Sequence, residues 1–343
     1  MRPEDRFLFL ATRQKMDAQT CNRLEEASRR HTLAWERIYT VADRDGVAPL
    51  IYQNIMTSPT LVSCIPDTVL HQFKAQAVRN IIQKQERAVF LRKALEYLHS
   101  KDIDVIVLKG ASLDQLIYDE PWFTVYSDID LILSCRNTDL SEHQVEELGH
   151  WFYRQHVEYE FFEHHDFNMN GLLPIDFADV WKTARSVDFS GTQALVLSPE
   201  YQLLSICINS CRKRFFRLKA LLDIVETIRN TAELDWERFT SLCRQANCGS
   251  IVYTALRVAM DTLGCPVPKK VFSAMGISLA RRAVIRLNIA FLMTFWSISS
   301  QLPRLRIFNR LIDLRLILPY AAYQPNQILR KSHEIRTMSK LQK

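Results

Sequence analysis

Glycine is scarce in this chain: eight residues in 343. Sandwiches and barrels need a turn residue roughly every eight to twelve positions, and eight glycines with twelve prolines cannot supply them. The chain is therefore expected to be mostly helical, with any sheet small. At 48% hydrophobic and 24% charged residues it is too apolar to stay disordered, and it is long enough for a sizeable core.

Charge is unevenly spread. The net charge is +6, but Arg281 to Lys343 holds twelve Lys and Arg against only Asp313 and Glu334, a formal +10, so the preceding 280 residues carry −4. A basic C-terminal region on a mildly acidic body suits an anionic partner such as phosphate, nucleic acid or a membrane surface. The plainer reading is a solvated helix face; Arg304 to Arg315 alternates with Leu and Ile at helical spacing. Eight cysteines, at 21, 64, 135, 207, 211, 243, 248 and 265, form no C-x-x-C pair and match no zinc spacing. The first ten residues carry acids and no sustained apolar run, unlike a secretory signal. The longest apolar stretch, Ala283 to Ile298, falls short of the ~20 residues of a membrane span and is broken by Arg286 and Asn288. A soluble, cytoplasmic protein with reduced thiols and no transmembrane segment is the expectation.

Three regions follow from the periodicity. Residues 1–100 read as helices, with a turn at Asp45-Gly46, a break at Ser58-Pro59, and a long helix from Pro66 to Ser100 whose stripe is Leu70, Phe73, Ala77, Ile81, Ala88, Leu91 and Leu95. Residues 101–197 read as a mixed α/β core. Ile103 to Leu108 is a β-branched buried strand, Lys109-Gly110-Ala111-Ser112 opens a helix, Ser127 to Leu133 is a second strand, and Leu140 to Arg154 is a helix. Asn170-Gly171 signals a hairpin between Asp166–Met169 and Leu172–Phe177. Residues 198–343 return to helices: Glu200–Arg214, Leu218–Arg229, Trp236–Ala246, Ser250–Leu263, and more beyond 268 with an interruption at Pro303. The fold class is thus α+β and mostly helical, a small mixed sheet flanked by helical regions on both sides in sequence.

Asp128 and Asp130 are the most informative pair. With the two-residue period of extended chain, both carboxylates leave one face and Ile129 the other. Two aligned acids repel each other, and a divalent cation removes that repulsion while using the oxygen ligands. Upstream, Gly110 and Ser112 stand at a helix start, where backbone N–H groups favour phosphate. Downstream, Asp176 lies in the apolar run Leu173–Phe177. Three carboxylates plus a phosphate-binding turn is what a two-metal phosphoryl or nucleotidyl transfer site requires. Lys109 suits a phosphate contact or a strand cap. Arg212, Lys213, Arg214 and Arg217 form a basic cluster, and of His164 and His165 only one can face a site on a strand. Asp223, amid Leu221, Leu222, Ile224 and Val225, reads as a structural ion-pair or capping acid. Trp151, Phe152, Phe161, Phe162 and Trp181 read as core.

Leu108 to Ser112, Asp128 to Ile132 and Ile175 to Phe177 together resemble the polymerase-β-type nucleotidyltransferase superfamily. Within it, the chain most resembles the bacterial family of uncharacterised nucleotidyltransferases. The likeness extends to Trp35 with Gly46–Leu50, and to Leu197–Leu204 and Leu221–Ile224, roughly residues 20–260. It implies an NTP substrate, ATP foremost, with Gly110 and Ser112 lining the triphosphate and a cation of the basic cluster, Lys213 or Arg217, reaching it; Lys109 and Ala111 adjoin the same turn as candidate nucleotide contacts. The likeness implies two Mg²⁺ ions on Asp128, Asp130 and Asp176 and an acceptor hydroxyl on a small molecule, peptide, protein or RNA; from the His-His pair itself, His165 is the candidate substrate contact. The chain departs from the family pattern in four places. Ala111 separates Gly110 from Ser112, Phe123–Tyr126 lacks an Arg, Ala178 stands two residues after the third acid, and Asn209-Ser210 replace a common His. These departures leave a second reading open, a binding module without turnover. The basic tail leaves a third, a toxin-like or RNA-modifying enzyme.

Overall fold

The computed structural model describes residues 2–30, 32–135, 142–155, 160–161, 173–213, 215, 217–232 and 234–299. Six helices come first: α1 (Pro3–Ala11), α2 (Ala18–Arg30), α3 (Trp35–Arg44), α4 (Ala48–Met56), α5 (Pro59–Cys64) and α6 (Asp67–Ser100). The mixed segment is β1 (Ile103–Val107), α7 (Lys109–Leu116), β2 (Leu131–Cys135), α8 (Glu142–Gln155), β3 (Glu160–Phe161), α9 (Phe177–Thr183), β4 (Arg185–Phe189) and β5 (Thr192–Val196). Helices close the described chain: α10 (Pro199–Arg212), α11 (Leu218–Asn230), α12 (Trp236–Gln245), α13 (Gly249–Leu263), α14 (Lys269–Ala274) and α15 (Leu279–Ser299). The expected α+β, mostly helical class is what the chain adopts. Among the described residues no helix is long and apolar enough to cross a membrane.

The sheet has five strands in the order β3-β2-β1-β5-β4. β1 pairs antiparallel with β2, Val107 opposite Leu131, and parallel with β5, Val107 opposite Val196. The mixed pairing places β1 centrally, which is why its sequence is a near-continuous apolar run. Its side chains alternate between two cores. Ile103, Val105 and Val107 pack with Leu91, Leu95 and Leu98 of α6 and Phe152 of α8. Ile106 and Leu108 join the larger core, which runs from Phe7 and Trp35 through Tyr201 and Leu221 to Leu256. Trp151 lies flat on Tyr97 at 4.5 Å, and Phe152 is fully buried, so both serve the core as expected.

Three local expectations change. The strand read over Ser127–Leu133 starts only at Leu131; Asp128–Asp130 form its extended lead-in, joined to β1 by the Leu108 amide donating to the Asp130 carbonyl at 2.9 Å. Leu173–Phe177 is not a strand arm: Asp176 is the N-cap of α9, its side chain accepting from the Asp179 amide at 3.2 Å. The apolar alternation of that run serves burial of Leu173 and Phe177 rather than sheet pairing. The Asn170-Gly171 turn lies outside the described residues. A hairpin without an advance signal joins β4 to β5 through Ser190 (φ +54°) and Gly191 (φ +92°), both in the positive-φ backbone of a two-residue hairpin turn.

On α6 the buried stripe includes Phe73, Ala77, Leu91 and Leu95; Leu70 and Ile81 are only half-buried and Ala88 is exposed, and polar Asn80 and Lys84 are buried in their place. Each has a partner that makes burial tolerable. Asn80 Nδ2 donates to the carbonyls of Trp122 and Thr124 at 2.7 and 3.1 Å, and Lys84 Nζ pairs with Asp114 at 2.5 Å. Through these contacts α6 fixes α7 and the segment that leads to Asp128.

Candidate active site

β1 ends at Val107, and Lys109 turns the chain into α7 with a left-handed backbone, φ +45°. Such a backbone is strained for a side chain with a Cβ, and it recurs at functional sites. Lys109 Nζ reaches Asp130 Oδ1 at 2.8 Å, with both side chains less than a fifth exposed. Burial raises the Asp130 carboxyl above its usual value; Lys109 opposes the shift, and Asp128 adds to it. Asp128 is half-buried and accepts from Ser127 Oγ at 3.1 Å. Ile129 between them is buried in the core on the other side. The two carboxylates therefore do face one way, although the chain there is a lead-in and not yet a strand.

They open into a cavity of about 350 Å³, lined among others by Lys109, Gly110, Tyr126, Asn209, Lys213, Arg217 and Lys219. Its opposite wall comes from the α3–α4 turn and from the corner between α10 and α11. Asp45, whose side chain is fully buried, accepts from Arg44 Nε at 2.7 Å and from the Leu218 amide at 3.2 Å, at the start of α11. Arg217 donates to the Arg44 carbonyl and stands 3.9 Å from Asp45. Gly46, at φ +74°, accepts from the Val125 amide at 2.9 Å, which ties this turn to the segment before Asp128. Asp223 is taken up by Lys219 at 2.7 Å and by the Tyr118 hydroxyl at 2.5 Å, the structural role read for it in the sequence. Burial beside Asp223 pushes the Tyr118 phenol far up.

The cavity thus assembles Lys109, Gly110, Asp128, Asp130, Lys213 and Arg217 from the expected set. Ala111 and Ser112 do not line it. Each helical residue turns about 100° from the last, so only the first residues of α7 reach the cavity. Ser112 is fully buried with its hydroxyl donating to the Lys109 carbonyl at 3.0 Å, and Ala111 packs in the core. Gly110 has a different use from close ligand approach: a Cβ there would stand 2.4 to 2.8 Å from the Tyr126 ring. Asp176 is exposed at the α9 N-cap, away from the cavity lining. His164, His165, Arg214 and the tail beyond residue 299 lie outside the described residues.

Two groups went unread in the sequence. Lys84 and Asp114 form a buried pair beneath Tyr126, with Lys84 Nζ 3.6 Å from the ring centroid. Burial lowers the lysine to about 7 and raises the carboxyl to about 6. Asp45 and Lys219 complete the far wall. Local pattern marks neither Lys84 nor Asp45, because their partners Asp114 and Leu218 lie 30 and 173 residues away.

As a donor set, two hard carboxylates beside a cavity fit Mg²⁺, which takes one or two carboxylates and completes its shell with phosphate oxygens and water. Asp130, buried and already holding a cation in Lys109, is a ligand that gains from more positive charge. Among the described residues no group of three His, Cys, Asp or Glu side chains is placed to hold one ion. The fit is to a carboxylate pair that a substrate phosphate completes.

A mixed sheet that delivers a Lys-Gly helix start and a paired-aspartate lead-in to one basic-rimmed cavity defines a nucleotidyltransferase-like protein. Residues 31–264 match the family model described as uncharacterised nucleotidyltransferase, and the chain belongs to that family. No curated protein matches it. A crystal structure of an antigenic nucleotidyltransferase-like protein from Paracoccidioides brasiliensis is similar at 16% identity and a TM-score of 0.37, over 56% of this chain and 92% of that one. That likeness is too distant to carry a function across.

Proposed function

We propose that the chain is a Mg²⁺-dependent nucleotidyltransferase that moves a nucleoside monophosphate from an NTP to an acceptor hydroxyl. The observation that carries the reading is Asp128 and Asp130 side by side in a cavity, with the buried one held by Lys109 at 2.8 Å. Lys109, Lys213 and Arg217 are assigned to the triphosphate, whose charge they offset in a partly dry site. Asp128 and Asp130 would hold Mg²⁺, which supplies charge neutralisation on the phosphoryl oxygens. The acceptor oxygen bonds to the α-phosphorus as the α–β bridging P–O bond breaks, pyrophosphate leaves, and one of the two carboxylates receives the hydroxyl proton. Asp43 to Gly46 line one side of the cavity.

The test is isothermal titration of a non-hydrolysable ATP analogue, then those of the other three NTPs, with Mg²⁺ and again with EDTA. The expected result is Mg²⁺-dependent binding that Asp128→Asn and Asp130→Asn each weaken by about a hundredfold, with the far-ultraviolet spectrum unchanged. Binding that is indifferent to Mg²⁺ and to both aspartates would overturn the reading.

A further inference from the structure

The family match begins at residue 31, so α1 and α2 lie ahead of it. These helices pack on each other and present facing basic stripes. Arg2 and Arg6 sit one turn apart at the start of α1; Arg23 and Arg30 sit two turns apart on α2, on either side of Ala27. The small alanine leaves a groove of about 260 Å³ between the stripes, with the first turn of α1 at its edge. Among the described residues four guanidinium groups line this groove, and the single carboxylate there, Glu26, is taken by Arg30 at 2.5 Å. Arg2, Arg6 and Arg23 have no ion pair among the described residues.

Like charges gathered on one concavity repel each other unless an anion joins them. The guanidinium fork matches phosphate oxygens two at a time, and the N-terminus of α1 adds positive potential of its own. Among the described residues no aromatic ring lines the groove, so they offer a base nothing to stack on, and its volume suits one or two phosphate groups. The groove shares no residue with the Asp128–Asp130 cavity. We propose that the α1–α2 groove is a binding site for a compact phosphate-bearing anion of the pyrophosphate class. The site stands apart from the cavity of the proposed transfer reaction and does not depend on that reading.

The experiment is calorimetric titration of sodium pyrophosphate into the full chain with EDTA present, so that the carboxylate pair carries no metal. The double variant Arg6→Ala/Arg23→Ala removes two exposed side chains and leaves the buried Asp5–Arg37 pair and the Phe7–Ala11 core intact. One equivalent should bind the native chain, and the variant should bind it about tenfold more weakly or worse. Asp128→Asn should bind it as the native chain does, and the variant should keep Mg²⁺-dependent nucleotide-analogue binding. Competition by single-stranded RNA or by phosphoinositide vesicles would identify the polymer or the headgroup as the source of the phosphate. Equal affinity in native chain and variant, or no binding of pyrophosphate to the native chain, would overturn the proposal, even if RNA or vesicles bound.

Discussion

Replacing Lys84 with Met tests whether the polar cluster beneath Tyr126 is a buried ion pair. Lys84 and Asp114 are 5% and 10% exposed in their side chains and 2.5 Å apart. Removing one partner of such a pair costs about 3–5 kcal/mol, because the other charge is left uncompensated in low dielectric. The loss should depend on pH with a definite sign. Burial already raises Asp114 to about 6, and Lys84 is what holds it down; without the lysine its folded pKa climbs further. A carboxyl whose folded pKa exceeds its unfolded value loses stability as pH rises between the two, at about 1.4 kcal/mol per unit. In the native chain Lys84, lowered to about 7 by burial, acts oppositely: the folded state releases its proton first, so stability rises with pH above that value. The variant should therefore be destabilised by about 3 kcal/mol more at pH 8 than at pH 6. Urea denaturation followed by tryptophan fluorescence at the two pH values measures this. Lys84→Met/Asp114→Asn, which removes both charges, should recover most of the loss and flatten its pH dependence. An equal loss at both pH values would refute the reasoning.

Other perturbations follow from single contacts. Gly110→Ala drives a methyl into the Tyr126 ring; it should lower stability by about 1–3 kcal/mol in thermal unfolding, and Tyr126→Leu in the same chain should restore part of it. Burial pushes the thiols of Cys207 and Cys243 far up and that of Cys265 to about 12. Mass spectrometry after iodoacetamide at pH 8 should find these three unmodified until urea unfolds the chain, with Cys21 and Cys64, both half-buried, modified first.

Much of this molecule was legible because its local signals agree with its tertiary context. Ile103–Leu108 reads as a buried strand and becomes the central one, and Asp128 with Asp130 reads as one face and opens into one cavity. Composition alone marked Lys213 and Arg217 only as a basic cluster and the family resemblance added a phosphate role; the corner between α10 and α11 is what brings them to the aspartates' cavity. The misreadings have local causes. Leu173, Ile175 and Phe177 alternate as a strand would, yet Asp176 finds the α9 amides and caps them instead. Ala111 and Ser112 adjoin the site in sequence, but helical rotation carries them into the core. Arg185–Phe189 mixes Arg, Ser and Asp at exposed positions, so β4 carries little apolar pattern, and its turn rests on Ser190-Gly191. Lys84 lies among the buried residues of α6, but its partner is 30 residues away, beyond the reach of any local pattern.

The buried Asp45 sets an order of events during synthesis. Its helix-capping partner, the Leu218 amide, follows 173 residues later. At translation rates of 5–20 residues per second that is a wait of about 9 to 35 s. During it Asp45 has no Leu218 amide to accept from, and Asp130, made about halfway through, precedes Lys213, Arg217 and Lys219 in the chain. Lys213, Arg217 and Lys219 follow both aspartates by more than eighty residues, so a nascent chain that carries the carboxylates lacks that wall of the cavity. The last residue of the cavity lining, Asp223, precedes Leu256, which the large core joins to Phe7.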